Sequence, residues 1–264
     1  MEAWISYSDW YIHYPREQRR PPCQYEADPD WERKLHETFD APFPGEDRQE
    51  FLPLWRTVHQ EMMAAGVKTG PEAFGDWNDG DPAFVRAIWF LVRRLRARTV
   101  VETGVAHGVT SRFILEALAK NGDGHLWSID LPMNRSLKKE IGIAVGGRFP
   151  DRWTYIEGSS RRRLPALLPQ VGELDLFVHD GLHQEYTVRF EMDRVWPQLR
   201  SGGAIVVDDI DTNWGFHSFC EDHPGHPNFV CEAEPIRPDT RRFNNKGLFG
   251  IIVKQPNEPG RSWH

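Results

Sequence analysis

Four side chains with catalytic potential follow two apolar stretches of the chain. Asp180 and His183 come just after Leu174–His179, and Asp208 and Asp209 close the next such stretch. Ligands of open parallel sheets bind at the carboxyl ends of the strands, so these acids are expected to converge. Converging carboxylates repel one another unless a cation lies between them, and oxygen ligands suit Mg²⁺ or Ca²⁺. We therefore predict that Asp180, Asp208 and Asp209 bind a metal.

His183 and Asp180 are the predicted catalytic residues. The unperturbed pKa of histidine lies near working pH, so His183 is the candidate general base. The alternative is a surface histidine at the start of a helix, with Asp208 and Asp209 capping a turn and Asp180 contacting only a cofactor. A second group of potential ligands has no standard zinc spacing. It comprises His217, Cys220, His223, His226 and Cys231.

A glycine-containing turn, Glu102-Thr-Gly-Val-Ala-His-Gly108, follows the first predicted strand of the sheet. Gly104 has no side chain, so the backbone there can approach a ligand closely. Asp130 ends the second strand, where a carboxylate can accept hydrogen bonds from both ribose hydroxyls. This layout is typical of nucleotide-binding sheets and is shared by dehydrogenases and methyltransferases.

Three details favour S-adenosylmethionine over a dinucleotide. The spacing from Gly104 to Gly108 is not the G-x-G-x-x-G of dinucleotide sites. Glu102 would repel a diphosphate but can bind the amino-acid end of S-adenosylmethionine, directly or through water. Asp180 suits a cationic sulfonium. The alternative for Glu102 is a strand-end carboxylate that caps the next turn.

These residues need a sheet that brings strand ends together. Strands are predicted at Thr99–Thr103, His125–Asp130, Trp153–Glu157, Leu174–His179, 203–208, 229–233 and Leu248–Val253. Helical spacing predicts helices at 50–66, from Asp81-Pro82 onward, and at 111–120, 136–145, 164–168 and 185–196. Alternating strands and helices indicate an α/β fold with a mostly parallel sheet, and the last two strands suggest an antiparallel pair.

Composition narrows the classes of partner. The chain has 264 residues and a net charge of −7, which argues against a nucleic-acid partner held by phosphate contacts. The N-terminus has no signal-peptide pattern, and arginines interrupt the most apolar stretch, so we expect no membrane partner. Three cysteines imply no disulfide framework, which favours the cytoplasm.

Residues 1–75 are predicted to form an N-terminal extension or lid, rich in proline and aromatic residues. The aromatic rings either pack on the domain or form a substrate wall. We place the main domain at 76–256 and a flexible tail at 257–264. An arm that reaches a neighbouring copy would make the protein a homo-oligomer.

Three motifs carry a family resemblance: Val100-Val-Glu-Thr-Gly-Val-Ala-His-Gly-Val-Thr-Ser111, Val178-His-Asp-Gly-Leu-His183 and Ala204-Ile-Val-Val-Asp-Asp209. Over roughly residues 80–255 the chain resembles class I methyltransferases related to cephalosporin-biosynthesis methyltransferase-like proteins and to macrocin and aminocoumarin sugar O-methyltransferases. The resemblance implies a Rossmann-like, seven-stranded sheet with an antiparallel last strand and helices on both faces. In the resembling sugar enzymes, acids at the places of Asp180, Asp208 and Asp209 hold Mg²⁺.

The predicted cofactor site extends beyond the turn. The adenine end is expected after the third strand, where related enzymes often carry an acid that this chain lacks. The residues predicted to contact S-adenosylmethionine are Glu102, Thr103, Gly104, Gly108, Thr110, Ser111, Asp130, Ser159, Ser160 and Asp180.

The leading hypothesis is a Mg²⁺-dependent O-methyltransferase of secondary metabolism that acts on a hydroxyl of a small molecule, such as a sugar. The enzyme would mainly align an already activated methyl donor with the acceptor. The alternatives are a metal-independent N- or O-methyltransferase, a cofactor-binding protein without catalysis, and a nicotinamide dehydrogenase, which the glycine spacing opposes.

Overall fold

The computed structural model describes residues 23–67, 81–131, 137–234 and 247–256. Its centre is a seven-stranded sheet with the strand order β3-β2-β1-β4-β5-β7-β6. The strands are β1 (Thr99–Thr103), β2 (His125–Asp130), β3 (Trp153–Glu157), β4 (Leu174–His179), β5 (Leu199–Val207), β6 (Asn228–Glu232) and β7 (Leu248–Val253). Strands β1 to β5 pair in parallel, and β7 lies antiparallel between β5 and β6. The predicted Rossmann-like sheet with an antiparallel last strand is confirmed.

Seven α-helices surround this sheet in the described ranges. They are α1 (Trp31–Thr38), α2 (Glu46–Ala64), α3 (Pro82–Leu95), α4 (Val109–Asn121), α5 (Ser160–Val171), α6 (Glu185–Val195) and α7 (Gly215–Asp222). Alternate strand residues enter two different apolar clusters, because successive side chains of a strand point to opposite faces. Val100 belongs to the cluster with α2, α3 and α4, whereas Val101 belongs to the cluster with α5, α6 and α7. Helices therefore cover both faces, as predicted.

Helix α3 begins as its sequence predicts. The Asp81 carboxylate accepts hydrogen bonds from the amides of Ala83 and Phe84, at 2.6 and 3.0 Å, and Pro82 occupies the first turn, where no amide donor is needed. Within the described ranges, no helix combines the length and the apolar character that crossing a bilayer requires.

The helix predicted at 136–145 is wrong over its described part. Only a 3₁₀ turn forms at Leu137–Lys139, and turns follow it. Gly142 and Gly146 have φ of +68° and +58°, values outside the right-handed helix. The amide of Gly142 donates to the carbonyl of Ala106, and that of Ala144 to His107, both at 2.9 Å. The segment thus satisfies its backbone on the predicted cofactor turn.

Residues 23–67 pack against the sheet and its helices. The Trp31 ring meets Phe249 of β7 with centroids 5.3 Å apart, and Phe51 meets Phe113 of α4 at 5.0 Å. The amide of Asp28 donates to the carbonyl of Val230 on β6 at 2.8 Å. These contacts fit the packing interpretation of the aromatic residues in this part. Residues 1–22 of the predicted lid and the predicted tail at 257–264 lie outside the described residues, and the domain division stays a prediction.

Candidate active site

The turn after β1 holds two strand ends against each other. Gly104 has φ of +87°, and a Cβ built on it would lie 1.9 Å from the carbonyl oxygen of Asp180. The amide of Asp180 donates to the carbonyl of Thr103 at 2.8 Å, and the amide of Gly104 donates to that of Ile129 at 2.9 Å. Position 104 therefore requires glycine both for its conformation and for space.

Glu102 is fully buried at the base of this turn. Its Oε2 accepts hydrogen bonds from the hydroxyls of Ser111, at 2.6 Å, and Ser128, at 2.8 Å. Burial raises the pKa of Glu102 to about 7, although both hydroxyls work to lower it. Its Oε1 has no hydrogen-bond partner among the described residues. A buried, unsatisfied acceptor is costly, so this oxygen fits an additional donor such as a ligand's ammonium group or a water.

Asp130 ends β2 and holds the turn from the other side. Its Oδ2 accepts hydrogen bonds from the amides of Val105 and Ala106, at 2.9 and 3.0 Å. One carboxylate oxygen thus orders the turn, and a second oxygen remains on the same group to accept hydroxyl hydrogens. This geometry is compatible with the predicted ribose contact.

The turn is also held from the far side by residues 140–146. His107 Nε2 lies 2.9 Å from Glu140 Oε2, beside the two backbone hydrogen bonds to Ala106 and His107. A Cβ on Gly108 would lie 2.8 Å from the Cα of Gly142. Both glycines of the predicted motif are therefore places where two backbones meet.

The carboxyl ends of β4 and β5 bring Asp180, His183 and Asp208 together. One ligand atom from each can be chosen so that all lie within 4.8 Å of one another, and all three side chains are partly accessible. The sheet itself sets this proximity, because the amide of Asp208 donates to the carbonyl of His179 at 2.9 Å. Two carboxylates and an imidazole form a donor set that a divalent cation can accept.

Asp209, the third predicted metal ligand, takes a different position. Its backbone has φ of +50°, in the left-handed region. Its Oδ2 lies 3.7 Å from Nε2 of His183, and that nitrogen is 4.0 Å from Oδ1 of Asp180. The described residues thus place His183 in the converging group and Asp209 beside it.

The negative charge of Asp208 affects Asp81, which caps the N-terminus of α3. Burial raises the pKa of Asp81 to about 7, and the charge of Asp208 adds to that rise. The helix-capping hydrogen bond from the amide of Phe84 acts in the opposite direction. The region around Asp208 therefore has a negative potential that attracts cations.

The remaining predicted cofactor residues are buried or partly buried. The Thr103 hydroxyl donates to Oε2 of Glu191 at 2.6 Å and is directed into the protein interior. Thr110 is buried in the first turn of α4. Ser159 precedes α5, and its hydroxyl is enclosed with no partner among the described residues, whereas Ser160 hydrogen-bonds Glu191.

A buried pair beneath the site was missed by the sequence analysis. His179, the last residue of β4, places its Nδ1 2.7 Å from Oε2 of Glu191 on α6. A detectable signal existed, because Glu191 shares the buried face of α6 with Val188, Met192 and Val195. A carboxylate on the apolar face of a helix is rarely fully buried unless it is paired.

The second set of potential zinc ligands does not converge in the described part of the chain. The group at Asp180 is the one place there where at least three histidine, cysteine or acidic side chains meet within 4.8 Å. His223 instead stacks on Phe219 with ring centroids 4.1 Å apart, and Cys231 is buried in β6.

Comparisons with known proteins agree with this geometry. Residues 101–210 match the family model of a methyltransferase domain. A protein of Mycolicibacterium smegmatis that is provisionally named an O-methyltransferase is 29% identical over 153 residues, which are 58% of this chain and 69% of that protein. The family match runs from within β1 to just after β5, the region that carries the turn and the converging group.

Solved structures share the fold over most of the chain. The O-methyltransferase TomG from Streptomyces achromogenes, involved in tomaymycin synthesis and solved in complex with S-adenosylmethionine, has a TM-score of 0.56 at 16% identity, covering 86% of this chain and 99% of its own. The O-methyltransferase from Bacillus cereus in complex with S-adenosylhomocysteine has a TM-score of 0.55 at 15% identity, covering 85% and 98%. At these identities the likeness shows the fold.

The finer resemblance to the cephalosporin and macrocin groups stays a prediction. The fold of the described residues and the matched domain agree with each other and with the position of the converging side chains. Residues 101–210 thus carry the match to a methyltransferase domain, within a sheet of the same fold as the solved O-methyltransferases.

Proposed function

We propose that this protein is an O-methyltransferase that uses S-adenosylmethionine and Mg²⁺ to methylate a hydroxyl of a small molecule, such as a sugar or another secondary metabolite. The observation that carries the proposal is the convergence of Asp180, His183 and Asp208 within 4.8 Å, directly beside the turn at Gly104. The relatives named as O-methyltransferases support the same reaction class.

Glu102 and Asp130 are suited to hold the methyl donor. The unsatisfied Oε1 of Glu102 can accept a hydrogen bond from its ammonium group, directly or through water, and Asp130 can accept from ribose hydroxyls. The acidic surroundings of Asp180 and Asp208 favour the positive sulfonium. A diphosphate would be repelled at the same place, which argues against a dinucleotide.

Asp180 and Asp208 would hold Mg²⁺, and His183 would remain the base beside them, with Asp209 close enough to orient its ring. A bound divalent cation lowers the pKa of a hydroxyl that it contacts. Without a metal, His183 alone would take the hydroxyl proton, since its Nε2 lies within 4.0 Å of the carboxylates of Asp180 and Asp209.

The protein's residues then act mainly by alignment. The acceptor oxygen must approach the methyl carbon on the line opposite the sulfur, and its proton must leave to a base. His183 is placed to take that proton, and the nearby carboxyl groups of Asp180 and Asp209 stabilise the resulting imidazolium. The products are the methyl ether, S-adenosylhomocysteine and the proton held on the base.

Replacing Asp208 with asparagine tests the metal. We expect D208N to weaken Mg²⁺ binding by more than about 100-fold, the upper figure for residues that only support a ligand. Calorimetric titration of Mg²⁺ into the protein saturated with S-adenosylhomocysteine measures this without a known acceptor. Release of S-adenosylhomocysteine from a panel of sugar and polyphenol hydroxyl compounds then measures turnover.

D123N is the matched control, because Asp123 is exposed beside Arg98 at the opposite ends of the strands. It should bind Mg²⁺ and turn over like the wild type. Full turnover of D208N in the presence of a chelator would refute the metal-dependent reaction and favour a metal-independent methyltransferase. Binding of Mg²⁺ and S-adenosylhomocysteine without turnover on any acceptor would favour a protein that has lost catalysis.

A further inference from the structure

A buried acid lies directly beneath the loop that carries Asp180 and His183. Oε2 of Glu191 accepts a hydrogen bond from the hydroxyl of Thr103 at 2.6 Å and pairs with Nδ1 of His179 at 2.7 Å. The His179 and Glu191 side chains are 0% and 1% exposed. One carboxylate oxygen of α6 therefore joins the last residues of β1 and β4.

Burying the His179–Glu191 pair between β1, β4 and α6 carries a free-energy cost. Removing charged groups from water costs several kcal/mol per ion, and apolar residues of similar volume often replace such pairs without loss of stability. Burial works to raise the pKa of Glu191, but His179, Ser160 and Thr103 together bring it below its ordinary value. A fully buried carboxylate on a helix calls for a role beyond packing.

The two histidine rings face each other across this region. Their centroids are 5.5 Å apart and their planes are nearly perpendicular, at 89°. His179 Nε2 and His183 Nδ1 are both enclosed, and neither has a hydrogen-bond partner among the described residues. Buried ring nitrogens are normally satisfied, so we expect these two to hydrogen-bond each other directly after a small rotation of the rings.

The tautomer of His179 decides the direction of that link. When Nδ1 donates to the carboxylate of Glu191, the neutral ring presents Nε2 as an acceptor. An acceptor beneath His183 favours a proton on Nδ1 of His183. The lone pair of His183 is then on Nε2, the nitrogen nearest Asp180 and Asp209.

We propose that Glu191 and His179 are positioning residues that fix the ring orientation and the tautomer of His183, so that its Nε2 stays available for the acceptor's proton. This inference rests on the proposed function for its catalytic consequence. The arrangement of the rings is a property of the protein by itself and can be measured separately.

Three variants test the link. E191L removes the acceptor and keeps an apolar side chain in the core, and H179F removes the ring nitrogen beneath His183. E191Q restores an acceptor oxygen of the same shape. We expect kcat to fall by about 10- to 100-fold in E191L and H179F, with KM and the affinity for S-adenosylhomocysteine within about threefold of wild type. E191Q should keep kcat within about threefold of wild type.

E116Q is the control for loss of a buried ionic contact. Glu116 Oε1 accepts from Nε of Arg112 at 2.8 Å on α4, and the Arg112 side chain is 4% exposed. We expect E116Q to lower stability without changing kcat. A parallel loss of kcat and stability in E116Q and H179F would show that E191L acts through folding, and would overturn the positioning role.

Nitrogen-15 NMR of the His183 ring gives a readout that needs no turnover. In the metal-free complex with S-adenosylhomocysteine, we expect one tautomer with the proton on Nδ1, and a mixture in H179F. An unchanged His183 spectrum in H179F overturns the inference even where E191L does not fold. If the wild-type protein methylates no hydroxyl, the proposed function fails, and the same spectra still decide whether His179 fixes the tautomer.

Discussion

Gly104→Ala is the substitution whose effect the structure defines most sharply. The new Cβ would lie 1.9 Å from the carbonyl oxygen of Asp180, whereas ordinary contacts begin near 3.4 Å. The ends of β1 and β4 would have to separate by about 1.5 Å, and overpacking of this kind costs about 1–3 kcal/mol. The φ of +87° adds about 1–2 kcal/mol for a residue with a Cβ.

Gly122→Ala separates these two contributions. Gly122 ends α4 with φ of +84°, and a Cβ there would meet nothing within 4 Å. It should lose only the conformational part, about 1–2 kcal/mol. Urea denaturation measured under one set of conditions gives both free energies of unfolding, and we expect G104A to lose about 2–5 kcal/mol in total.

The same pair of variants tests the site. Because the separation falls between the turn and Asp180, we expect G104A to bind S-adenosylhomocysteine at least about tenfold more weakly, a difference of about 1.4 kcal/mol. G122A should bind it like the wild type. If G104A is no less stable than G122A and binds equally well, then the close contact of β1 and β4 does not shape the site, and the steric reasoning is refuted.

Two further predictions concern buried charges. Burial raises the pKa of Glu102 from 4.5 to about 7, so the folded chain keeps a proton that the unfolded chain releases. Glu102 should therefore contribute a fall of about 3 kcal/mol in the stability of the ligand-free protein from pH 4.5 to 7, and E102Q should fall by that much less in paired denaturation curves; equal slopes would contradict it. Arg86, 6% exposed, bonds Glu32 and Glu234 at 2.8 and 2.7 Å, so R86M should lose about 3 kcal/mol, whereas R98M, at an exposed ion pair, should lose less than about 1; equal losses would contradict the role of burial.

The sheet was predictable because its signals are local. β2 begins and ends at His125 and Asp130 as expected, since an apolar, β-branched segment lies between turn residues. The missing helix at 136–145 shows where such signals stop. Its apolar spacing resembles a helix, but Gly142 and Gly146 bend the backbone onto the turn at Ala106, a contact far apart in the sequence.

The location of the site was predictable from the sequence, but the arrangement of its side chains was less so. Strand ends locate Asp180 and Asp208 near each other without any coordinates. The direction of the Asp209 side chain depends on its φ of +50°, which follows from the local turn. The pairing of His179 with Glu191 joins a strand to a later helix, and spacing along one element does not reveal such a partner.

The docking of residues 23–67 has a consequence for how this chain can be divided. The matched methyltransferase domain spans 101–210, yet Trp31 and Phe51 fill the same apolar cluster as the strands of that region. The backbone bond from Asp28 to Val230 also occupies part of the outer edge of β6, where an uncovered strand invites pairing with another chain. A chimera that exchanges the N-terminal segment would therefore also need matching surfaces on β6 and β7. The segment and the sheet must be transferred together.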